Sequence, residues 1–177
     1  MSQPIENYVP QHILAKFRRQ AVIVWMIGLA VVLVWVAMML IGPLTAANGF
    51  QNFSTPIYTF FSYICHQMPE RSMHIAGHAF AVCSRCFGVY FGLLAGFAIY
   101  PLLRRIEEIE PLARFWLLLS MIPISIDWSL TMFGIWENTH FSRFVTGSIL
   151  GTACSIYIVP ALVEIFRNLL LKAETRQ

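Results

Sequence analysis

Four apolar stretches organise the chain. The first, Ala21 to Gly42, contains no charged residue; the others run from about Val82 to Leu103, Phe115 to Ile135 and Phe144 to Phe166. About 20 apolar residues in a helix cross the ~30 Å hydrocarbon core of a bilayer, so each stretch is long enough to span. The first is longer than the ~7–15-residue apolar region of a signal peptide and reads as a retained anchor. Pro123 and Pro160 fall inside the third and fourth stretches. Membrane helices tolerate proline where neighbours satisfy the freed carbonyls, so kinks rather than breaks are expected. Gly88, Gly92 and Gly96 recur every four residues in the second stretch, as do Gly147, Gly151 and Ser155 in the fourth. Stripes of small residues let helix backbones approach closely in lipid, and these two predict that the second and fourth helices cross on them.

Composition agrees with the pattern. Hydrophobic residues make up 58% of the 177 residues and charged residues only 12%. A soluble domain carries about 25% charged residues, so the chain lacks the material for an aqueous surface. One integral membrane domain, residues 1–177, is expected: all-α, with four transmembrane helices and a long connection, about 43–81, between the first two. Lipid is the expected partner, with other membrane subunits as candidates and no nucleic acid.

Charge predicts the orientation. Lys16, Arg18, Arg19, Arg104, Arg105, Arg114, Arg167, Lys172 and Arg176 fall on one side of a four-helix arrangement, and Arg71, Arg85 and Arg143 on the other. By the positive-inside rule both termini are cytoplasmic and the long connection is extracytoplasmic. Within that connection, Pro56 to Cys65 is aromatic and too short to span; it reads as a short helix along the interface or a segment packed over the bundle mouth. The run Arg104 to Pro111 reads as a charged, solvated turn.

The candidate chemistry lies at the outer entrance of the second helix. Cys65, Cys83 and Cys86 fall within 22 residues, with His66, His74 and His78 nearby. Thiolate and imidazole are the ligands of zinc and, with iron as a second candidate, of other borderline metals; a C-x-x-C pair lets two sulfurs hold one ion. Three thiolates then need a fourth ligand among the three histidines. His66, adjacent to Cys65, requires a sharp backbone turn; His78 has the easier approach. Such a closed site would clip the outer loop onto the second helix. The absence of C-x-x-C-H from the sequence excludes haem attachment. Cys154 lies about ten residues into the fourth helix, or ~15 Å below its outer end, and reads as a small buried packing residue.

Polar residues gather at the same mouth: Arg85 between the cysteines, Asp127 in the outer half of the third helix, then Glu137, Asn138, His140 and Arg143. An ionisable residue inside a membrane is costly and needs a partner, so Asp127 is expected to meet Arg85 or Arg143.

The run Cys65-His66-Gln67, then Glu70-Arg71-Ser72, Gly77, and Cys83-Ser84-Arg85-Cys86-Phe87-Gly88-Val89-Tyr90-Phe91-Gly92 resembles a prokaryotic membrane-protein family. It is the family catalogued as domain of unknown function 2085. Asp127, Arg143 and Thr146-Gly147 match the later part of its pattern, which usually has Gly where this chain has Trp128. The resemblance implies a small polytopic membrane protein with a Cys/His cluster. It favours His66 as fourth ligand beside Cys65, Cys83 and Cys86, groups Arg85, Asp127 and Arg143 with them, and names no activity.

A rival reading is enzymatic. Four helices and a C-x-x-C at the outer end of the second also resemble the quinone-dependent, disulfide-oxidising membrane proteins. There the pair passes electrons to quinone, and Arg85 could stabilise a thiolate here. Only Cys65 remains on the outer face for the second disulfide that such enzymes use. A metal site, free-standing or within a larger membrane complex, is therefore the leading expectation.

Overall fold

The structure is a computed structural model and describes residues 11–110 and 112–174. In chain order the elements are α1 (Gln11–Ala47), α2 (Gln51–Ser62), a single 3-10 turn (Pro69–Arg71), strands β1 (His74–Ile75) and β2 (His78–Ala79), α3 (Ser84–Leu103), α4 (Phe115–Met132) and α5 (His140–Glu174). Among the described residues four helical segments are long and apolar enough to cross a membrane: Leu14–Ala47, Ser84–Leu103, Phe115–Met132 and His140–Lys172. The protein is an all-α, multi-pass membrane protein.

Small residues set the central contact. A side-chain carbon added at Gly88 would strike the Phe144 backbone; at Gly92, that of Ser148; at Gly147, that of Arg85; and at Gly151, that of Val89. All four approaches would be under 3.0 Å, so α3 and α5 meet backbone to backbone along the two stripes. Thr152 Oγ1 seals the crossing by donating to the Gly92 carbonyl at 3.0 Å. α1 lies alongside, where Trp25 Nε1 donates to the Phe97 carbonyl at 2.8 Å beside the buried Phe97, Tyr100 and Val159.

α4 packs against α5 and buries only Ser120 and Asp127. Trp116, Leu118, Met121, Ile122 and Ile126 on its remaining surface are exposed. Lipid tails are as apolar as these side chains, so such a face costs nothing in a bilayer.

The bundle has two chemically distinct ends. At one, the Arg167 guanidinium lies 5.1 Å from the Phe17 ring centroid, and Arg18, Arg105, Glu107 and Arg167 line a shared cavity. Arg71, Arg85 and Arg143 share a cavity at the other. Arg176 and Pro111 lie outside the described residues.

Several boundaries differ from the apolar pattern. α1 runs through Pro43 to Ala47 rather than ending at Gly42, and α5 begins at His140 and passes Pro160 to reach Glu174. Apolarity marks the part of a helix that lipid can cover, whereas the helix itself continues while its backbone bonds are made. α4 stops at Met132, short of Ile135, where Gly134 turns the chain with φ 66°. Pro123 lies within α4 and Pro160 within α5, both uninterrupted.

The connection between α1 and α3 is structured. Its helix α2 begins at Gln51, earlier than Pro56, and ends at Ser62, so Cys65 lies beyond it. α2 packs on α1, with Phe61 fully buried and Trp35 edge-on to both Phe60 and Phe61. Phe61, Phe80, Ala81 and Val82 join Val36 and Met39 of α1 and Phe87 of α3 in one buried cluster. The β1–β2 hairpin is unanticipated. Its turn residues Ala76 and Gly77 both have positive φ, at 49° and 82°, as a tight two-residue hairpin requires.

Candidate metal centre

Cys83 is the N-cap of α3, and Cys86 follows three residues later on its first turn. Residues three apart on a helix share a face, so the two sulfurs point the same way. Cys65 reaches them from the other side of the loop, just past α2. Its position is held by its own N–H, which donates to Phe61 O at 2.9 Å, and by the Cys83 N–H, which donates to Cys65 Sγ at 3.2 Å. The three sulfurs lie within 4.8 Å of one another, and no disulfide joins them.

Three sulfurs at tetrahedral angles around a zinc ion, each ~2.3 Å from it, stand about 3.8 Å apart. The cluster is therefore of the size and chemistry that one ion accepts. The Cys65 environment favours its anionic form. The side chains of Cys83 and Cys86 beside it hold its pKa far below the usual thiol range, and the backbone N–H groups of Cys83 and Gln67 add to this against the opposing effect of burial.

Gln67 organises the approach to the site. It has φ 50°, an uncommon value for a residue other than glycine. That reversal lets Nε2 donate to both the Tyr58 and Ala81 carbonyls, each at 2.8 Å. One side chain thus ties α2 to the segment entering α3. The Tyr58 hydroxyl makes a parallel tie to the Ala79 carbonyl. Gln67 is missing from the expected site residues because its role depends on backbone shape; its place beside Cys65-His66 is the only signal in the sequence.

No histidine nitrogen joins the sulfur cluster among the described residues. His66, the expected fourth ligand, is exposed while its neighbour Cys65 is buried. Adjacent side chains diverge unless the backbone folds back between them, and here the reversal comes one residue later, at Gln67. His74 and His78 lie on the hairpin, paired with Ala79 and Ile75 respectively. Cys154 is half-buried within α5 and outside the cluster, whereas its neighbour Ser155 is buried with Gly147 and Gly151 on the stripe.

The polar residues form one connected network. Arg85 Nη2 donates to Asp127 Oδ2 at 2.5 Å, and Asn138 Nδ2 donates to the same oxygen at 2.8 Å. Arg143 Nε donates to Asn138 Oδ1 at 2.6 Å. Arg143 thus reaches Asp127 through Asn138 rather than directly. His140 Nδ1 lies 3.0 Å from Ser84 Oγ and joins the first turns of α3 and α5. Arg71, Cys83 and Cys86 line the cavity of this network and also a second one that contains Cys65, His66 and Gln67. Cys83 and Cys86 thus border both cavities, and Cys65 only the second.

An uncharacterized protein of Methanocaldococcus jannaschii is 38% identical over 118 residues, 67% of this chain and 76% of that protein. An uncharacterized protein of Methanothermobacter thermautotrophicus is 35% identical over 111 residues, 63% of this chain and 94% of that protein. No solved structure matches the chain. The model of one family, described as predicted membrane protein (DUF2085), matches residues 65–157, a span that opens at Cys65 and takes in the sulfur cluster, Asp127 and Arg143. The chain belongs to that family.

Proposed function

We propose that this protein holds one metal ion, zinc before iron, at the extracytoplasmic mouth of its helix bundle, through Cys65, Cys83 and Cys86. The observation that carries this reading is the grouping of three unpaired sulfurs within 4.8 Å. Hydrogen bonds from Cys83 and Cys86 draw Cys65 towards its thiolate, whereas the same contacts and burial push the Cys86 thiol up, so zinc binding would release protons from the cluster. The ion would fasten the outer connection to the first turn of α3, so binding would add to folding stability. The fourth coordination position is left to a ligand that is not one of the clustered protein groups.

The role that follows is structural, in a free-standing membrane protein or a subunit of a membrane complex. The orientation rests on cation segregation: Arg71, Arg85 and Arg143 lie at the cluster's end and the larger basic set at the other.

Elemental analysis of the purified protein in mild detergent, with thiol counting on the same sample, tests the reading. About one zinc per chain with every thiol reduced is expected. A metal-free protein with an oxidised Cys83–Cys86 pair would replace it with the quinone-linked thiol oxidoreductase.

A further inference from the structure

The cations of the cluster's end converge on one place. Arg71 of the 3-10 turn, Arg85 of α3 and Arg143 of α5 line a cavity of about 320 Å³ together with Cys83, Cys86 and Trp128. Small-molecule sites occupy roughly 300–1,000 Å³, so the cavity has room for a compact group.

The charges around it do not balance. Three guanidiniums and no carboxylate line it, and Asp127, the partner of Arg85, is already engaged by Arg85 and Asn138. A zinc ion on three thiolates would add one net negative charge, and one positive charge would still remain. The Arg71 side chain has no ion-pair or hydrogen-bond partner among the described residues. The Arg85 Nε–H is buried and unpartnered. The first turn of α3, whose Cys83 N-cap makes no capping side-chain bond, lines the same wall, and its free N–H groups add positive potential. Like charges are costly at a membrane boundary unless an anion answers them.

We propose that this cavity binds a tetrahedral oxyanion of the phosphate class, presented either as a free phosphate or as an anionic lipid headgroup. Guanidinium groups match such oxygens through paired N–H donors, which is why arginine rather than lysine suits the task. Arg71 and Arg143 hold the anion, and Arg85, fixed by Asp127, sets the floor of the site. This site is independent of the metal reading, because its arginines contribute no metal ligand.

The test uses the full chain in phosphatidylcholine nanodiscs, titrated with inorganic phosphate against chloride at matched ionic strength. Trp128 lines the cavity and supplies a fluorescence signal, assigned by Trp128→Phe. A second arm compares thermal midpoints in phosphatidylglycerol and phosphatidylcholine discs. A saturable phosphate response, or a midpoint raised by phosphatidylglycerol, is expected from the native chain. Arg71→Gln and Arg143→Gln should each weaken that response about tenfold, the loss that accompanies one charge-assisted hydrogen bond, with zinc content unchanged. A phosphate response assigns the site to a soluble oxyanion, and a phosphatidylglycerol shift without one assigns it to the lipid headgroup. Arg71 sits on an exposed turn, so its variant should fold even if Arg143→Gln does not. No response to either ligand, or one that is equal in Arg71→Gln, overturns the proposal.

Discussion

Arg85 Nη2 stands 2.5 Å from Asp127 Oδ2 and joins the first turn of α3 to one of only two buried residues of α4. Among the described residues α4 otherwise packs mainly against α5 and offers lipid most of its surface. The ion pair is therefore a main restraint on where α4 sits beside the sulfur cluster. Removing one partner of a buried pair leaves the other charge uncompensated and costs about 3–5 kcal/mol; with Arg85 partly exposed, about 2–3 kcal/mol is expected. Arg85→Gln and Asp127→Asn should each lower the thermal midpoint in detergent, and the double variant should lose less than the sum of the two. Strict additivity would show that the pair does not hold α4.

Helix crossing gives a graded prediction. Alanine at Gly92 or Gly151 already drives a carbon into the facing backbone, so each should cost about 1–3 kcal/mol, and leucine should prevent folding. At Gly28 the added carbon would meet the ring edge of Phe97, a side chain that can move. Gly28→Ala should therefore be milder. Equal thermal midpoints for Gly28→Ala and Gly151→Ala would contradict the backbone-contact account.

Single Cys→Ser changes separate the metal from the redox reading. Cys65→Ser, Cys83→Ser and Cys86→Ser should each lower zinc stoichiometry and the thermal midpoint, because structural zinc adds binding free energy of order 10 kcal/mol to small folded modules. Cys154→Ser, outside the cluster, should retain metal. Four variants that melt alike and never held zinc would remove the site.

Gln67→Ala deletes two hydrogen bonds to buried-side carbonyls without touching a sulfur. A cost of about 2 kcal/mol is expected, together with weaker zinc retention against a chelator, since groups that support metal ligands commonly matter by 10–100-fold. Zinc retention equal to that of the unsubstituted chain would show that the cluster stands without this tie.

Sidedness is checked with an impermeant thiol reagent on intact cells, after chelation or reduction. Labelling at Cys65, Cys83 or Cys86 from outside is expected from the cation distribution. Labelling only after the cytoplasm is opened would invert the topology.

Much of the architecture was legible because the bilayer makes it so. Apolar length identifies a span without knowledge of its neighbours, and the glycine spacing of α3 and α5 named the crossing partners, because close backbone approach in lipid leaves few other uses for such stripes. Local spacing likewise joined Cys83 to Cys86, and the cost of a buried carboxylate anticipated a cation at Asp127. The β1–β2 hairpin was not legible, since two-residue strands are too short to show alternation. Helix ends such as Ala47 and His140 were missed because they follow backbone bonding rather than apolarity.

The sequence by itself determined the solvent, the number of spans, the helix pair that packs most closely and the shared face of Cys83 and Cys86. All of these depend on residue type and on spacing along a single helix. Only the tertiary structure decided that Cys65 closes on Cys83 and Cys86 while His66 stays exposed and outside the sulfur cluster, that Gln67 holds the loop, and that Arg143 reaches Asp127 through Asn138. These relationships join residues far apart in the chain, or turn on one backbone reversal. Their geometry is set when the connection between α1 and α3 packs onto those two helices, and no local pattern encodes it.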